Sequence, residues 1–218
     1  MTKPVLYGFN HSTYVRTVRM LLAEKEADYE QVPLNVLKGD PHSPEHLKRH
    51  PFGKVPVMEH DGLRILETSA IVRYLDAALP GPSFTPESIK DRARMDMAIN
   101  LVDAYGYANV IGTVTAYHLF PDLFGPVSDE DYEKGIENSK RVLAEIMAIR
   151  GGSDFIAGDE RSLADFFLAP ICYQVSSTPD AEKVFDVPGF AEWWQRVQAL
   201  PSYQDTDPNC AEAEFGSK

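Results

Sequence analysis

Three short segments place hydroxyls, a carboxylate and backbone groups where they could receive a small charged ligand. In Asn10-His-Ser-Thr-Tyr-Val-Arg16, Ser12 stands where an apolar run ends and a helix begins. A hydroxyl there caps the helix, or it donates a hydrogen bond to an anion held at the helix N-terminus. In Phe52-Gly-Lys-Val-Pro-Val57, Pro56 opens an otherwise good strand, a position that proline tolerates. With a cis Val55–Pro56 bond, the Val55 N–H and C=O would face outward to pair with an extended peptide backbone. In Leu66-Glu-Thr-Ser-Ala-Ile71 a strand again passes into a helix start. Thr68 or Ser69 would cap that helix, and Glu67 near its N-terminus is favourable without any ligand. The functional alternative gives Glu67 to an ammonium group and the Thr68 hydroxyl and N–H to a carboxylate. Each segment alone has an ordinary structural explanation. Together they describe a site for a short zwitterionic peptide that carries a thiol.

The elements that would position these residues follow from periodicity. Pro4 to Phe9 reads as a buried strand, and Val15, Val18, Leu21 and Leu22 recur at helical spacing, with Arg16, Arg19, Glu24 and Lys25 mostly on the other side. Tyr29 to Val36 alternates as a second strand, and Lys38 to His50 is a polar stretch broken by Gly39, Pro41 and Pro44. His60-Asp-Gly62 between two strand-like runs signals a hairpin, and Ser69 to Ala78 is a helix. The order β-α-β, hairpin, α defines an α/β module over residues 1–80. Three prolines and a glycine between Leu79 and Pro86 mark a linker over 81–90. An all-helical domain is expected over 91–205, with helices near 88–120, 129–150, 162–177 and 188–200, and a flexible tail over 206–218. Ser162 to Tyr173 is apolar on nearly all sides, which predicts a buried central helix that Pro170 should kink. Ser162 and Asp165 have capping-box spacing.

Composition narrows the partners. A net charge of −12, from 21 Lys+Arg against 33 Asp+Glu, and the lack of a dense basic cluster argue against nucleic acid. Nothing approaches the roughly 20 consecutive apolar residues that span a bilayer, and Val5 to Phe9 is too short for a signal-peptide core. Cys172 lies in an apolar run and Cys210 in a polar tail, so a disulfide framework is not expected and a reducing, cytoplasmic setting is. No cysteine precedes position 172, which leaves the α/β module without a thiol nucleophile or a Cys-x-x-Cys pair.

The chain resembles a cytosolic glutathione transferase, and its first half is most similar to the phi class and related bacterial enzymes. Carrying the resemblance are Ser12-Thr13 with Arg16 and Val18, the run Ser43-Pro-Glu-His-Leu-Lys-Arg-His-Pro-Phe-Gly-Lys-Val-Pro56, and Glu67-Thr-Ser-Ala-Ile-Val-Arg-Tyr-Leu75. Phe155-Ile-Ala-Gly158 and Ser162-Leu-Ala-Asp165 resemble the family's C-terminal folding motif. The resemblance covers residues 4–200. It implies a thioredoxin-like N-terminal domain plus an all-α C-terminal domain, usually as a homodimer, with glutathione as co-substrate and no metal.

The resemblance further places Ser12 at the catalytic hydroxyl, Val55 at the backbone-pairing position before a cis Pro56, Glu67 and Thr68 at the γ-glutamyl end, and His42 and Lys54 at the glycine carboxylate. Thr68 stands where the family usually has Ser, which keeps the hydroxyl. Pro41 and His42 stand where similar sequences often have His and Lys. Tyr7, near the end of the first strand, is the rival to Ser12, because other classes use a tyrosine there. A hydrophobic electrophile is expected in an apolar pocket between the domains, with Tyr14, Tyr107, Tyr117 and Phe120 as lining candidates beside Tyr105. Phe52 is a candidate dimer anchor. The same thiolate could serve a peroxidase, dehalogenase or isomerase, and the fold also serves as a non-catalytic glutathione-binding interaction module.

Overall fold

A computed structural model describes residues 2–119 and 124–209. Contacts divide the chain into two compact units, the first holding Met1–Ser83 together with the residues from Leu200 onward, the second Phe84–Ala199. Each is built around its own buried helices.

The first unit runs β1 (Val5–Tyr7), α1 (Thr13–Glu24), β2 (Glu30–Val32), two 3₁₀ turns (Val36–Lys38 and Asp40–His42), α2 (Pro44–Arg49), β3 (Val57–His60), β4 (Leu63–Ile65) and α3 (Thr68–Ala78). Its four strands lie in the order β2-β1-β3-β4. The β1–β2 pair is parallel, with Tyr7 opposite Val32. The β1–β3 pair is antiparallel, with Tyr7 opposite Val57, and so is β3–β4, with Met58 opposite Ile65. Val15, Val18, Leu21 and Leu22 are fully buried, as their spacing predicts.

Two local expectations are revised. The second strand ends at Val32, because Pro33 offers no N–H to a ladder. The polar stretch from Lys38 to His50, in which Pro44 is expected to act as a breaker, contains α2. There Ser43 accepts from the His46 N–H at 3.2 Å and Pro44 takes the first helical position, so that proline starts a helix instead of breaking one.

A third difference lies on α1. Arg16 and Arg19, expected on the polar face, are buried at 1% and 8% exposure. Residues from the end of the chain cover them. Arg16 Nη2 donates to the Tyr203 carbonyl at 2.8 Å, Arg19 Nη1 donates to the Thr206 carbonyl at 3.2 Å, and the Arg16 guanidinium lies 4.4 Å over the Tyr203 ring. Leu200–Thr206 therefore packs with the α/β module, although composition grouped 200–205 with the helical domain and Thr206 with a loose tail. Lys25 and Asp76, also buried, tie α1 to α3 through a 2.9 Å ion pair. Lys25 Nζ adds a 2.7 Å hydrogen bond to the Asp76 carbonyl, the kind of extra partner a buried ion pair needs.

The second unit comprises α4 (Ile89–Leu101), a continuation through π-type stretches Val102–Gly106 and Val110–Thr115 that flank α5 (Tyr107–Asn109), α6 (Ala116–Leu119), α7 (Asp129–Arg150), α8 (Leu163–Ser176), α9 (Ala181–Phe185) and α10 (Phe190–Gln198). The short α11 (Pro201–Asp205) belongs to the first unit. The hydroxyls of Thr113 and Thr115 bond carbonyls five residues back, at Ala108 (3.0 Å) and Val110 (2.7 Å), where the helix widens. The central helix α8 is buried from Leu163 to Cys172 and runs on through Pro170. Its capping box is formed, and Asp165 does more than cap. It accepts from the Ser162 N–H (2.8 Å), the Ser162 hydroxyl (2.9 Å), the Ile156 N–H (3.1 Å) and Trp193 Nε1 (2.8 Å). Among the described residues no helix is long and apolar enough to cross a membrane.

Candidate active site

Sheet register gathers the three motifs at one end of the first unit. Tyr7 at the close of β1 faces Val57 at the opening of β3, and Ile65 at the close of β4 faces Met58. The segments that leave the sheet there are Gly8–Ser12, Val55–Pro56 and Leu66–Thr68. Tyr7, Leu34 and Val57 form a small apolar cluster against which Val5, Val32, Val55 and Leu66 pack.

Ser12 is the N-cap of α1. Its hydroxyl oxygen accepts from the Val15 N–H at 3.4 Å, and its own N–H donates to the Phe9 carbonyl at 3.1 Å. Capping uses a lone pair and leaves the hydroxyl hydrogen without an acceptor among the described residues. The cap and the anion donor are thus compatible roles for one side chain. No acidic residue occupies the first turn of α1, so the positive end of the helix is not neutralised from within. Gly8 makes the approach of β1 to this turn possible, since a Cβ there would lie 2.4 Å from Val15 Cγ2.

Tyr7 is otherwise engaged. Its hydroxyl donates to Glu59 Oε2 at 3.0 Å, and the Arg49 guanidinium lies 4.5 Å over its ring. Burial first, and then the Glu59 carboxylate, raise the Tyr7 phenol above its ordinary range. In this structure the phenol hydrogen is directed at a carboxylate. Tyr7→Phe should therefore leave conjugation rate and thiol ionisation within about twofold of wild type, since removing a ground-state contact away from the sulfur changes no transition-state interaction. A loss beyond ten times that size, in steady-state assays, would return the role to Tyr7.

The Val55–Pro56 bond is cis. Val55 lies outside β3, and its N–H and C=O have no hydrogen-bond partner among the described residues. Glu67 has φ 65° and ψ 122°, precedes α3 and makes no side-chain cap bond. A non-glycine residue at positive φ costs on the order of 1–3 kcal/mol and concentrates at ligand clamps. No spacing rule in the sequence announces it. Thr68, buried at the first position of α3, leaves its N–H and hydroxyl without partners among the described residues. His42 ends the Asp40–His42 turn and stands against Gly53, where an added Cβ would come within 2.6 Å of His42 Nδ1. Gly53, at φ 61°, is followed by the exposed Lys54. Sequence reasoning missed His46 and His50, buried beneath this turn.

The aromatic candidates separate. Tyr14 is half-buried in the first turn of α1. In the helical unit Tyr107 is half-buried and burial raises its phenol. Tyr117 is exposed, stacks on Tyr132 at 4.2 Å and donates to Asp129 Oδ1 at 3.1 Å. Tyr105 is exposed, and Phe120 lies outside the described residues. Burial pushes the Cys172 thiol far up, which suits an inert core residue.

Fold and motif placement define a thioredoxin-like domain coupled in sequence to a helical domain. The family models "Glutathione S-transferase, N-terminal domain" and "Glutathione S-transferase, C-terminal domain" match residues 4–77 and 107–201. A probable glutathione S-transferase from Oryza sativa subsp. japonica, GSTF2, is 31% identical over 91% of this chain and 93% of its own. Poplar glutathione transferase F1 superposes with a TM-score of 0.84 at 28% identity, over 94% of this chain and 97% of that one. Glutathione S-transferase I from maize, solved with an atrazine glutathione conjugate, gives 0.81 at 28% identity over 94% and 96%. The chain belongs to the glutathione S-transferase family and is phi-like within it.

Proposed function

We propose that this enzyme ionises the thiol of glutathione against Ser12 and transfers the thiolate to a hydrophobic electrophile. The carrying observation is the Ser12 hydroxyl, whose hydrogen has no acceptor among the described residues, at a helix N-terminus without first-turn acids. A free thiol has a pKa of about 8.5, and lowering it by ~2 units takes roughly 2.7 kcal/mol of preference for the anion. A hydrogen bond to a charged group supplies about 1.5–3 kcal/mol, and a helix N-terminus about 0.3–1. One hydroxyl and one helix end suffice. The thiol proton passes to solvent, because Ser12 acts as a donor and not as a base. The sulfur then forms the new bond to carbon while the leaving group departs with its electron pair.

The rest of the peptide fits the same end of the sheet. Glu67 takes the ammonium, the Thr68 hydroxyl and N–H take the γ-glutamyl carboxylate, Val55 pairs with the cysteinyl backbone, and His42 with Lys54 holds the glycine carboxylate. The electrophile belongs to the class that the atrazine conjugate of the maize enzyme represents, with Tyr14, Tyr107, Tyr117 and Phe120 as the side chains to test. A reducing cytoplasm keeps such a co-substrate in its thiol form.

The test is the thiolate absorbance near 240 nm of glutathione mixed with the protein across pH. A midpoint about two units below that of free glutathione supports the reading, and an unshifted midpoint refutes it. We also place the enzyme as a homodimer with Phe52, 73% exposed, as an anchor inserted into the partner copy. Sedimentation should show Phe52→Ala dissociating at concentrations where wild type stays dimeric; an unchanged dimer removes that role.

A further inference from the structure

The turn that carries Phe52, Gly53 and Lys54 to Val55 hangs on two imidazoles that the thiol chemistry does not use. His46 in α2 and His50 at its end are 1% and 2% exposed. Their rings lie 6.5 Å apart at an interplanar angle of 20°, and His50 meets the Phe52 ring edge-on at 6.1 Å. Each ring holds backbone of the turn. His46 Nε2 stands 2.8 Å from the Lys54 carbonyl, which requires that nitrogen to carry the hydrogen. The Phe52 N–H donates to His50 Nδ1 at 3.3 Å, which requires that nitrogen to carry none. A third bond, from the Gly53 N–H to the His50 carbonyl at 2.9 Å, closes the turn. His50 is therefore held as the neutral Nε2–H tautomer, with a donor aimed at the nitrogen that would receive the next proton.

The charges around His50 come from four elements. Glu67, before α3, favours a proton on the ring; His46 of α2, Lys54 of the turn and Arg64 of β4 oppose it. Burial is the largest influence; with the help of those three groups it outweighs Glu67 and holds the imidazole below its ordinary 6.5.

We propose that His50 is a positioning residue whose protonation releases the Phe52–Lys54 turn, so that the affinity of the site for glutathione falls as the medium becomes acidic. The inference rests on the glutathione reading above. Two effects of protonation act in the same direction. A hydrogen on Nδ1 faces the Phe52 N–H, donor against donor, and loosens the segment that presents the Val55 backbone. The new cation also sits near Glu67 and competes with the ammonium of the incoming peptide. The sign follows from the depressed titration. The neutral ring dominates at pH 7–8, where affinity is constant, and affinity declines below about pH 6.5 as the proton binds.

The test uses S-hexylglutathione, which carries no ionisable thiol, so thiolate formation cannot imitate the effect. Calorimetric titration of wild type and His50→Asn runs from pH 7.5 to pH 5, within the range where far-UV circular dichroism stays native. Asparagine Oδ1 occupies the position of imidazole Nδ1 and accepts the same N–H without titrating. Wild-type affinity should weaken by more than about twofold over this range, and that of His50→Asn by less. A flat wild-type profile, or two profiles that fall in parallel, overturns the proposal. Absence of binding by wild type at pH 7.5 overturns the glutathione reading, and the proposal with it. A readout without any variant is the His50 ring titration by NMR. Linkage requires its midpoint to move to lower pH when S-hexylglutathione binds, and an unmoved midpoint is equally fatal.

Discussion

Ser12→Ala should lower kcat/KM at pH 6.5 by about 10- to 100-fold, the rate equivalent of losing one charge-assisted hydrogen bond. The deficit should shrink as pH rises past about 8.5, where glutathione ionises without help. The thiolate absorbance midpoint should rise with the loss, so that rate and ionisation move together. A confounding effect is built into the site, because the same hydroxyl caps α1 by accepting from the Val15 N–H. Replacing a cap by alanine removes about 1 kcal/mol of stability, whereas glycine removes only a few tenths. Ser12→Gly should therefore match the activity loss of Ser12→Ala while melting close to wild type. If the two variants lose activity in proportion to their loss of stability, the hydroxyl is only a cap. If both keep the wild-type thiol midpoint, the activating group lies elsewhere on the helix end.

Asp165→Ala should destabilise the helical unit by about 5 kcal/mol, enough to deplete soluble protein in cells. The carboxylate is fully buried and receives four donors from three places: Ser162 at the start of α8, Ile156 before it, and Trp193 on α10. Burial raises this carboxyl above the ordinary range, and the four hydrogen bonds pull against that shift. Alanine leaves the Ser162, Ile156 and Trp193 N–H groups buried without an acceptor. Each orphaned donor costs about 1–3 kcal/mol. Asp165→Asn keeps one acceptor oxygen but turns an NH₂ toward Ser162, so it should fall between wild type and alanine. Chemical denaturation followed by far-UV circular dichroism measures both. A loss below about 1 kcal/mol for alanine would mean that water reaches the three donors once the carboxylate is gone.

How much of this was legible beforehand divides by range. The strand–helix transitions at Ser12 and Glu67 could be read because capping chemistry and apolar spacing are local. The capping box at Ser162 and Asp165 could be read for the same reason. Its wider role could not, since Trp193 lies 28 residues further on. The helix at Pro44 is hidden in the sequence because a proline reads as a breaker unless the cap before it, Ser43, is weighed together with it.

By itself the sequence determined the strands and helices that flank the three motifs, and the residue types at Ser12, Val55–Pro56 and Glu67–Thr68 that a thiol-peptide site requires. Tertiary structure alone showed how the two rivals are engaged. Tyr7 is spent on Glu59, a partner fixed by β1–β3 register across 52 residues. Arg16 and Arg19 are buried by a turn nearly 190 residues away, which no helical periodicity can anticipate. Glu67 takes a positive φ that only the surrounding fold can enforce. His50 becomes a buried acceptor under the Phe52 turn through the packing of that turn on α2. The physical reason is common to all four. Propensity and capping act over a few residues, whereas burial, tautomer and hydrogen-bond commitment depend on which distant segments exclude water from the same place.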